Sequence, residues 1–265
     1  MNPEKVGKLM ALSTINVSTD DFVTTITLNR PERLNALTLT MADELFDVLH
    51  AHDQDESTRV FIITGTGRGF SAGADLANSA SGAHKSSNSP TLAERLYQAL
   101  VDIEKPIIAA INGVAVGGGC TLTLLCDIRL AAESARFQLP FTKLGISAEL
   151  SSTYTLPKLV GSAKAMELVL TSKMITSAEA LEIGLINHRI ADDQLLADAT
   201  EMASHIASLP PLSVRSNKAT LKQAADQQTQ FRTENMALAM LKQTADAKEA
   251  AAAFREKRDP VFTGR

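Results

Sequence analysis

Two glycine-rich loops are the segments whose composition points most directly to chemistry. The first, Gly65–Asp75 (GTGRGFSAGAD), follows the apolar stretch Val60–Thr64, and the second, Asn112–Gly119 (NGVAVGGG), follows Ile107–Ile111. Glycine lets the backbone turn tightly and lets a ligand approach its amides. Loops at strand ends are also where α/β proteins bind ligands. The pattern alone fits structural turns equally well, but two such loops favour amides that converge on one ligand oxygen, as in an oxyanion hole.

Neither loop fits a nucleotide-binding motif. The spacing Gly65-x-Gly67-x-Gly69 differs from the dinucleotide fingerprint, and no Gly-Lys-Ser/Thr is present for a P-loop. These loops therefore predict a site for something other than a nucleotide cofactor.

Composition excludes several other classes of site. Lys and Arg number 26 against 30 Asp and Glu, so the net charge of -4 does not suggest nucleic-acid binding. The only close histidine pair, His50 and His52, would lie on different faces of a helix, so we predict no metal site. Two cysteines, Cys120 and Cys126, indicate a reducing compartment. We expect a cytoplasmic protein that does not bind a membrane.

Strand and helix patterns alternate along most of the chain, which favours an α/β fold. Predicted strands are a hairpin of Ser13–Ser18 and Phe22–Leu28, then Val60–Ile63 and Ile107–Ile111; predicted helices are Thr40–His52, Leu92–Ile103, Asp193–Ser208 and Gln227–Arg258. We therefore expect an α/β core over residues 1–190 and a helical part over 191–265. The Ser-rich segment Ala77–Pro90 is either a mobile lid or a solvated insertion.

At these loops the sequence resembles the crotonase superfamily, the enoyl-CoA hydratase/isomerase family. The matching segments run in order along nearly the whole chain: Leu28–Leu37 (LNRPERLNAL), Gly69–Leu76 (GFSAGADL), Lys105–Gly113 (KPIIAAING), Cys126–Ala131 (CDIRLA), Ala180–Ile190 (ALEIGLINHRI) and Phe254–Phe262 (FREKRDPVF). The resemblance implies an α/β spiral of ββα units with a helical C-terminal trimerisation region. It also implies a homotrimer or a dimer of trimers.

The resemblance implies a role for particular residues. The oxyanion donors would be the amides of Ala74 and Gly118. The substrate-binding residues that would cradle the coenzyme A of an acyl-CoA thioester are Arg33, Leu34, Ala36, Ala72, Asp75, Leu76 and Lys257, with Arg258 as a further candidate. A solvated helix end explains Lys257 and Arg258 equally well. The family reaction needs no metal or redox cofactor, because coenzyme A belongs to the substrate.

Departures from the family pattern indicate which reaction is catalysed. Hydratases of the family use two glutamates, and this chain has Thr121 and Phe141 at those positions. Neither side chain can act as a carboxylate base that activates water. Water addition is therefore not expected.

A different carboxylate, Glu149, lies in a segment similar to the peroxisomal type of Δ3,Δ2-enoyl-CoA isomerase. That segment is Leu144–Lys158 (LGISAELSSTYTLPK), and those isomerases carry their single catalytic glutamate at the position of Glu149. Apolar neighbours would raise the pKa of such a carboxylate towards that of a useful base. The alternative is that Glu149 only charges the N-terminus of the following helix.

The resemblance thus implies a Δ3,Δ2-enoyl-CoA isomerase that shifts a double bond through an enolate. Two alternatives remain open. One is another acyl-CoA reaction of the family, of the thioesterase, dehalogenase or decarboxylase type, with hydration less expected. The other is an acyl-CoA-binding protein without catalysis.

Overall fold

The computed structural model describes residues 12–75, 90–222, 240–241 and 243–265. Its strands form a six-stranded sheet of order β1-β2-β3-β5-β7-β10 and a four-stranded sheet of order β4-β6-β8-β9. The strands are β1 Ile15–Asp20, β2 Val23–Leu28, β3 Val60–Gly65, β4 Gly69–Ser71, β5 Ile107–Ile111, β6 Val114–Val116, β7 Ile128–Ala132, β8 Arg136–Gln138, β9 Met174–Thr176 and β10 His188–Ile190. The helices are α1 Leu39–Asp53, α2 Leu92–Val101, α3 Gly118–Thr123, α4 Ser152–Val160, α5 Ser162–Thr171, α6 Ser177–Glu182, α7 Leu195–Ala207, α8 Pro211–Lys222 and α9 Ala245–Glu256.

In three successive strand pairs, the two strands lie in different sheets. The first strand of each pair (β3, β5, β7) joins the large sheet, and the second (β4, β6, β8) joins the small one. A helix follows each pair along the chain, so the repeating unit is ββα. The expected α/β spiral of ββα units is confirmed.

The predicted hairpin is also confirmed, and its turn explains its register. Strands β1 and β2 pair antiparallel, with Asp20 opposite Val23. The two turn residues between them, Asp21 and Phe22, have φ values of +40° and +64°. Positive φ at both central residues gives the two-residue turn that matches the twist of paired strands.

Strands β3 and β5 form the centre of the large sheet. Every residue of β5 is buried, as are all residues of β3 except Gly65. Parallel strands covered on both faces read as continuous apolar runs, which is why the sequence predicts both. The uncharged stretch 106–126 contains β5, β6, a glycine turn and α3.

Helix α1 begins slightly earlier than predicted. The hydroxyl of Thr38 accepts a hydrogen bond from the amide of Met41, so Thr38 is the cap and the helix starts at Leu39. Ser and Thr caps satisfy an amide that has no partner inside the helix. The buried face of α1 includes Met41, Leu45 and Leu49.

The C-terminal part differs from the prediction in one respect. Gln227–Arg258 was expected as one helix, and this is wrong for its described portion. The hydroxyl of Thr244 accepts from the amide of Ala247 and starts a separate helix, α9. Residues 227–239 lie outside the described residues, as do residues 77–89 of the Ser-rich segment, so the lid stays a prediction.

The earlier helix of this part, α7, agrees with the prediction within two residues at its start and one at its end. It packs on β3 and β5 of the large sheet. The division into residues 1–190 and 191–265 stays a prediction. None of the described helices is long and apolar enough to cross a membrane.

Candidate active site

The first glycine loop is held against the segment that leads into α1. The amide of Leu37 donates to the carbonyl of Gly73 at 2.8 Å, and the amide of Asp75 donates to the carbonyl of Leu37 at 3.0 Å. Residue 74 therefore sits between two hydrogen bonds of a parallel bridge with Leu37. Its own amide donates to no acceptor among the described residues.

Gly73 brings the first loop against the second. Its φ is +87°, and a Cβ there would lie 2.6 Å from the carbonyl oxygen of Val116. A side chain would therefore force the loops apart, and the backbone conformation itself favours glycine. The same Cβ position is 3.2 Å from the amide nitrogen of Gly118.

Gly117 orients the second loop. Its φ is +52°, and its amide donates to the carbonyl of Gln138 at 2.9 Å. Gly118 is the first residue of α3, where an amide has no partner within the helix. A Cβ on Gly118 would lie 3.8 Å from the amide nitrogen of Ala74. The two amides are therefore neighbours, and the sequence-predicted oxyanion pair is together in space.

The carboxylate of Glu149 faces this pair. Its Oε1 is 2.9 Å from the position that a Cβ on Gly118 would occupy. Burial raises the pKa of Glu149 above its ordinary value of 4.5. Its carboxylate makes no hydrogen bond or ion pair with the described residues, so nothing there offsets the desolvation.

The turn after Glu149 fixes where the carboxylate points. Leu150 and Ser151 both have left-handed φ values, +52° and +56°, and the amide of Ser152 donates to the carbonyl of Glu149 at 3.0 Å. Helix α4 begins at Ser152 without a side-chain cap. Glu149 therefore does not cap this helix, and strained backbone of this kind concentrates at functional sites.

The two hydratase positions carry no acid. Thr121 is fully buried in α3, and its hydroxyl donates to the carbonyls of Gly117 and Gly118, both at 3.3 Å. Phe141 is buried in the core. Asp75, the carboxylate next to Ala74, is 2.9 Å from Arg30 Nη2 in a buried ion pair. Glu149 is thus the carboxylate presented to the two amides.

Four predicted substrate-binding residues lie on two adjoining segments. The amide of Ala72 donates to the carbonyl of Leu34 at 2.9 Å, and the carbonyl of Ala36 accepts from Arg30 Nη1 at 2.6 Å. Asp75 completes the group through its ion pair with the same arginine. Leu76 lies outside the described residues.

The two predicted basic residues, Arg33 and Lys257, are both exposed but lie in different parts of the chain. Arg33 is exposed at the end of a short 3₁₀ turn near the loop. Lys257 is also exposed, at the end of α9. Arg258, the further candidate, is held by Glu249 and Glu256 in ion pairs. The coenzyme A roles of these residues stay predictions.

Sequence reasoning missed the side chains that hold the first loop in place. Asn35 is fully buried, and its Nδ2 donates to the carbonyls of Thr66 and Gly69. The Ser71 hydroxyl donates to the carbonyl of Asn35 at 2.8 Å. Together with Arg30 these residues form a polar clamp, and all three lie inside motifs quoted for the resemblance. A buried polar side chain needs partners, which is the signal that could have identified them.

A separate cavity lies away from these residues. It has a volume of about 520 Å³ and is lined by the loop after α1, by residues of α7 and α8, and by the C-terminal tail, with Arg59 and Lys105 among its charged groups. Glu149, Ala74 and Gly118 do not line it. Across residues 12–75, 90–222, 240–241 and 243–265, no group of three His, Cys, Asp or Glu side chains is arranged to hold a metal ion.

Comparison with known proteins identifies the family. The family model described as enoyl-CoA hydratase/isomerase matches residues 18–265. The chain belongs to the enoyl-CoA hydratase/isomerase family. As a member of the crotonase superfamily it is an acyl-CoA enzyme.

Individual relatives of this family member carry different names. It is 38% identical over 253 residues to the 1,2-epoxyphenylacetyl-CoA isomerase of Escherichia coli, covering 92% of this chain and 95% of that protein. It is 37% identical to the 2,3-dehydroadipyl-CoA hydratase of the same organism, covering 96% and 100%. The crystal structure of an enoyl-CoA hydratase from Bacillus anthracis has a TM-score of 0.91 and 35% identity, covering 96% of this chain and 100% of that one. The family is common to all three, and the reaction is not.

Proposed function

We propose that this protein is a Δ3,Δ2-enoyl-CoA isomerase, which converts a 3-enoyl-CoA into the 2-enoyl-CoA. The observation that carries the proposal is the position of Glu149, whose Oε1 lies 2.9 Å from a Cβ built on Gly118, beside the Ala74 amide. A double-bond shift needs one base and one oxyanion hole, and this arrangement offers both.

The proposed reaction uses Glu149 as the base and the two amides as oxyanion donors. Glu149 removes a proton from C2 of the thioester, and the electron pair passes to the thioester oxygen. The amides of Ala74 and Gly118 donate to that oxygen and stabilise the enolate. Glu149 then delivers the same proton to C4, and the double bond is left between C2 and C3. Atoms and charge balance without a metal or redox group, and we propose that none is required.

The raised pKa of Glu149 supports this role. A general base works best when its pKa approaches the working pH. Burial without a hydrogen-bond donor among the described residues moves Glu149 in that direction. A carboxylate that only charged a helix end would be solvated or bonded to the helix amides.

The absence of acids at two positions argues against hydration, although several relatives are named hydratases. Hydration would need carboxylates where this chain has Thr121 and Phe141. Segment 76–89 contains no Asp or Glu that could replace them. Because Asp75 is paired to Arg30, we assign proton transfer to Glu149 and expect no carboxylate of the described residues to activate water.

A second isomerisation is supported by one comparison. The relative named 1,2-epoxyphenylacetyl-CoA isomerase is 38% identical over 92% of this chain. A single carboxylate beside an oxyanion hole would also serve a rearrangement of that acyl-CoA. Its named substrate therefore belongs in any screen of activity.

The test is a parallel screen of the purified protein. 3-Enoyl-CoA thioesters of several chain lengths, a 2-enoyl-CoA and 1,2-epoxyphenylacetyl-CoA are supplied separately. Isomerisation is followed by the absorbance of the conjugated enoyl product, hydration by loss of that absorbance, and thioester cleavage by release of free thiol. We expect turnover of 3-enoyl-CoA and negligible hydration. Robust conversion of the 2-enoyl-CoA to a 3-hydroxy product, with no isomerisation, contradicts the proposal.

Assembly and location complete the proposal. We propose a homotrimer or dimer of trimers acting in the cytoplasm, on an acyl-CoA thioester and with no nucleic-acid or membrane partner.

A further inference from the structure

The peptide unit that carries the N–H of Gly118 accepts hydrogen bonds at its carbonyl oxygen. That unit consists of the carbonyl of Gly117 and the N–H of Gly118. The carbonyl oxygen of Gly117 accepts from the amides of Cys120 and Thr121, each at 2.9 Å, and from the hydroxyl of Thr121 at 3.3 Å. The N–H of Gly118, on the opposite side, has no acceptor among the described residues.

Hydrogen bonds to a carbonyl strengthen the N–H of the same peptide as a donor. Each bond polarises the amide group, and chains of such bonds reinforce each other by about 10–30% per bond in a low-dielectric interior. They also fix the direction of the N–H, which matters because an oxyanion hole works by preorganised donors. A group on the Gly117 carbonyl therefore acts on whatever oxygen Gly118 binds.

We propose that Thr121 is a positioning residue for the oxyanion hole, acting through the Gly117–Gly118 peptide. The proposal rests on the proposed function only in that Gly118 is an oxyanion donor. It gives a task to the residue that stands where hydratases carry a glutamate. Thr121 is fully buried, and its hydroxyl donates to the carbonyl of Gly117, which belongs to this peptide, and to the carbonyl of Gly118, which belongs to the next one.

A threonine that bonds to a carbonyl one turn back is common in helices, so a matched control is needed. Thr123 provides it in the same helix. It is also buried, and its hydroxyl donates to the carbonyl of Cys120 at 2.7 Å. That carbonyl does not belong to the Gly118 peptide. Removing either hydroxyl costs a similar local bond, but only Thr121 should affect the oxyanion.

The experiment measures how strongly the site polarises a thioester. Butyryl-CoA labelled with ¹³C at the thioester carbonyl is bound to the protein, and isotope-edited infrared difference spectra give the carbonyl stretch. A saturated acyl-CoA cannot isomerise, so the readout does not depend on the reaction. The variants are Thr121→Val, Thr121→Ser and Thr123→Val, and turnover of 3-enoyl-CoA is measured alongside.

We expect the bound carbonyl to absorb at lower frequency than in free butyryl-CoA. Thr121→Val should lose a measurable part of this shift and should lower kcat about 3- to 10-fold with little change in KM, a fraction of the 10²–10³-fold that loss of a whole donor costs. Thr121→Ser should restore both, and Thr123→Val should leave both unchanged.

The inference is overturned if Thr121→Val gives the same shift as the unmodified protein, or if Thr123→Val lowers it equally. Should Thr121→Val not fold, Thr121→Ala and Thr121→Ser make the same comparison, since they differ in the hydroxyl. An unmodified protein that shifts the carbonyl but does not isomerise would count against the proposed function and leave this inference standing.

Discussion

Glu149 is the residue on which the chemistry depends, and its surroundings explain its strength as a base. The carboxylate is half-buried, faces Gly118, and has no hydrogen-bond donor among the residues that the structure describes. Desolvation disfavours the charged form and raises the pKa. In a protein that did not use this carboxylate as a base, the same desolvation would only destabilise the fold.

The pH dependence of turnover should report this shift. A base must be deprotonated to act, so activity is lost as the pH falls through the pKa of Glu149. Because burial raises that pKa above 4.5, the acid limb of kcat/KM for a 3-enoyl-CoA should lie above pH 4.5. A profile from pH 4 to 8 checks this, and an acid limb at or below 4.5 would show that Glu149 is not the group that titrates.

At the residue scale, three residues of the proposed site could be predicted from the sequence. Family motifs led to Ala74, Gly118 and Glu149, and the structure brings them together. Arg30 and Asn35 were missed because a motif shows that a residue recurs and does not show what its side chain bonds. Their bonds, to Asp75 and to the carbonyls of Thr66 and Gly69, join positions 31 to 45 residues apart, which no local pattern reveals.

Among the elements, the first glycine loop depends on the polar clamp, of which Arg30 is one residue. Its guanidinium joins Ala36 to Asp75, one residue beyond the Ala74 amide. Removing one partner of a buried ion pair leaves the other charge poorly compensated. The loop should then be both less stable and less well positioned.

We predict that Arg30→Met lowers the free energy of unfolding by about 3 kcal/mol and lowers kcat. Adding Asp75→Asn removes the buried charge, so the double variant should recover part of the stability. Denaturant unfolding of the two single variants and the double gives the coupling energy. Strictly additive losses would mean that the pair does not act as a unit.

Helix α4 begins with a residue whose buried hydroxyl has no partner among the described residues. Ser152 is 2% exposed, and its Oγ is the single buried side-chain oxygen or nitrogen with no hydrogen-bond partner in the described part of the chain. An unsatisfied buried polar group costs about 1–3 kcal/mol. This cost falls at the start of α4, three residues after Glu149, so the fold is less stable there than it would be with an apolar side chain.

Ser152→Ala should therefore raise the free energy of unfolding, by about 1 kcal/mol. Ser177→Ala is the matched control, because Ser177 is equally buried but its hydroxyl donates to the carbonyl of Glu133 at 2.7 Å. That variant should be destabilised. Thermal and denaturant unfolding of both decide the matter, and a loss of stability in Ser152→Ala would mean that its hydroxyl has a partner in solution.

Elements differ in how far the sequence predicted them. The buried strands β3 and β5 and the capped helix α1 were predicted because long apolar or periodic runs carry a strong signal. Strands β4, β6, β8 and β9 have three residues each, too few for any periodicity, so the small sheet was not predicted. The break before α9 was missed because the helical pattern continues across Thr244 and outweighs a single capping residue.

On the scale of the whole molecule, the prediction concerns assembly into a trimer or a dimer of trimers. Met166 and Leu170 lie one turn apart on α5, and each is 63% exposed. We expect these two side chains to lie in a surface that another copy of the chain covers. Together with the resemblance, this supports the trimer or dimer of trimers.

Light scattering coupled to size-exclusion chromatography should give three or six times the chain mass of 28.3 kDa. Dilution over a hundredfold range should leave the value unchanged if the assembly is tight. A constant mass of one chain contradicts the prediction.

The central claim, that Glu149 is the single base of an acyl-CoA isomerase, is tested most directly by Glu149→Gln. The change keeps the shape of the side chain and removes its basicity. Turnover of 3-enoyl-CoA should fall by at least about 10²-fold, the lower end of what a general base contributes, while the affinity for acyl-CoA changes little. Glu182→Gln, an exposed position on α6, should keep full activity. If Glu149→Gln isomerises 3-enoyl-CoA at the unmodified rate, Glu149 is not the base and the mechanism proposed for this protein is wrong.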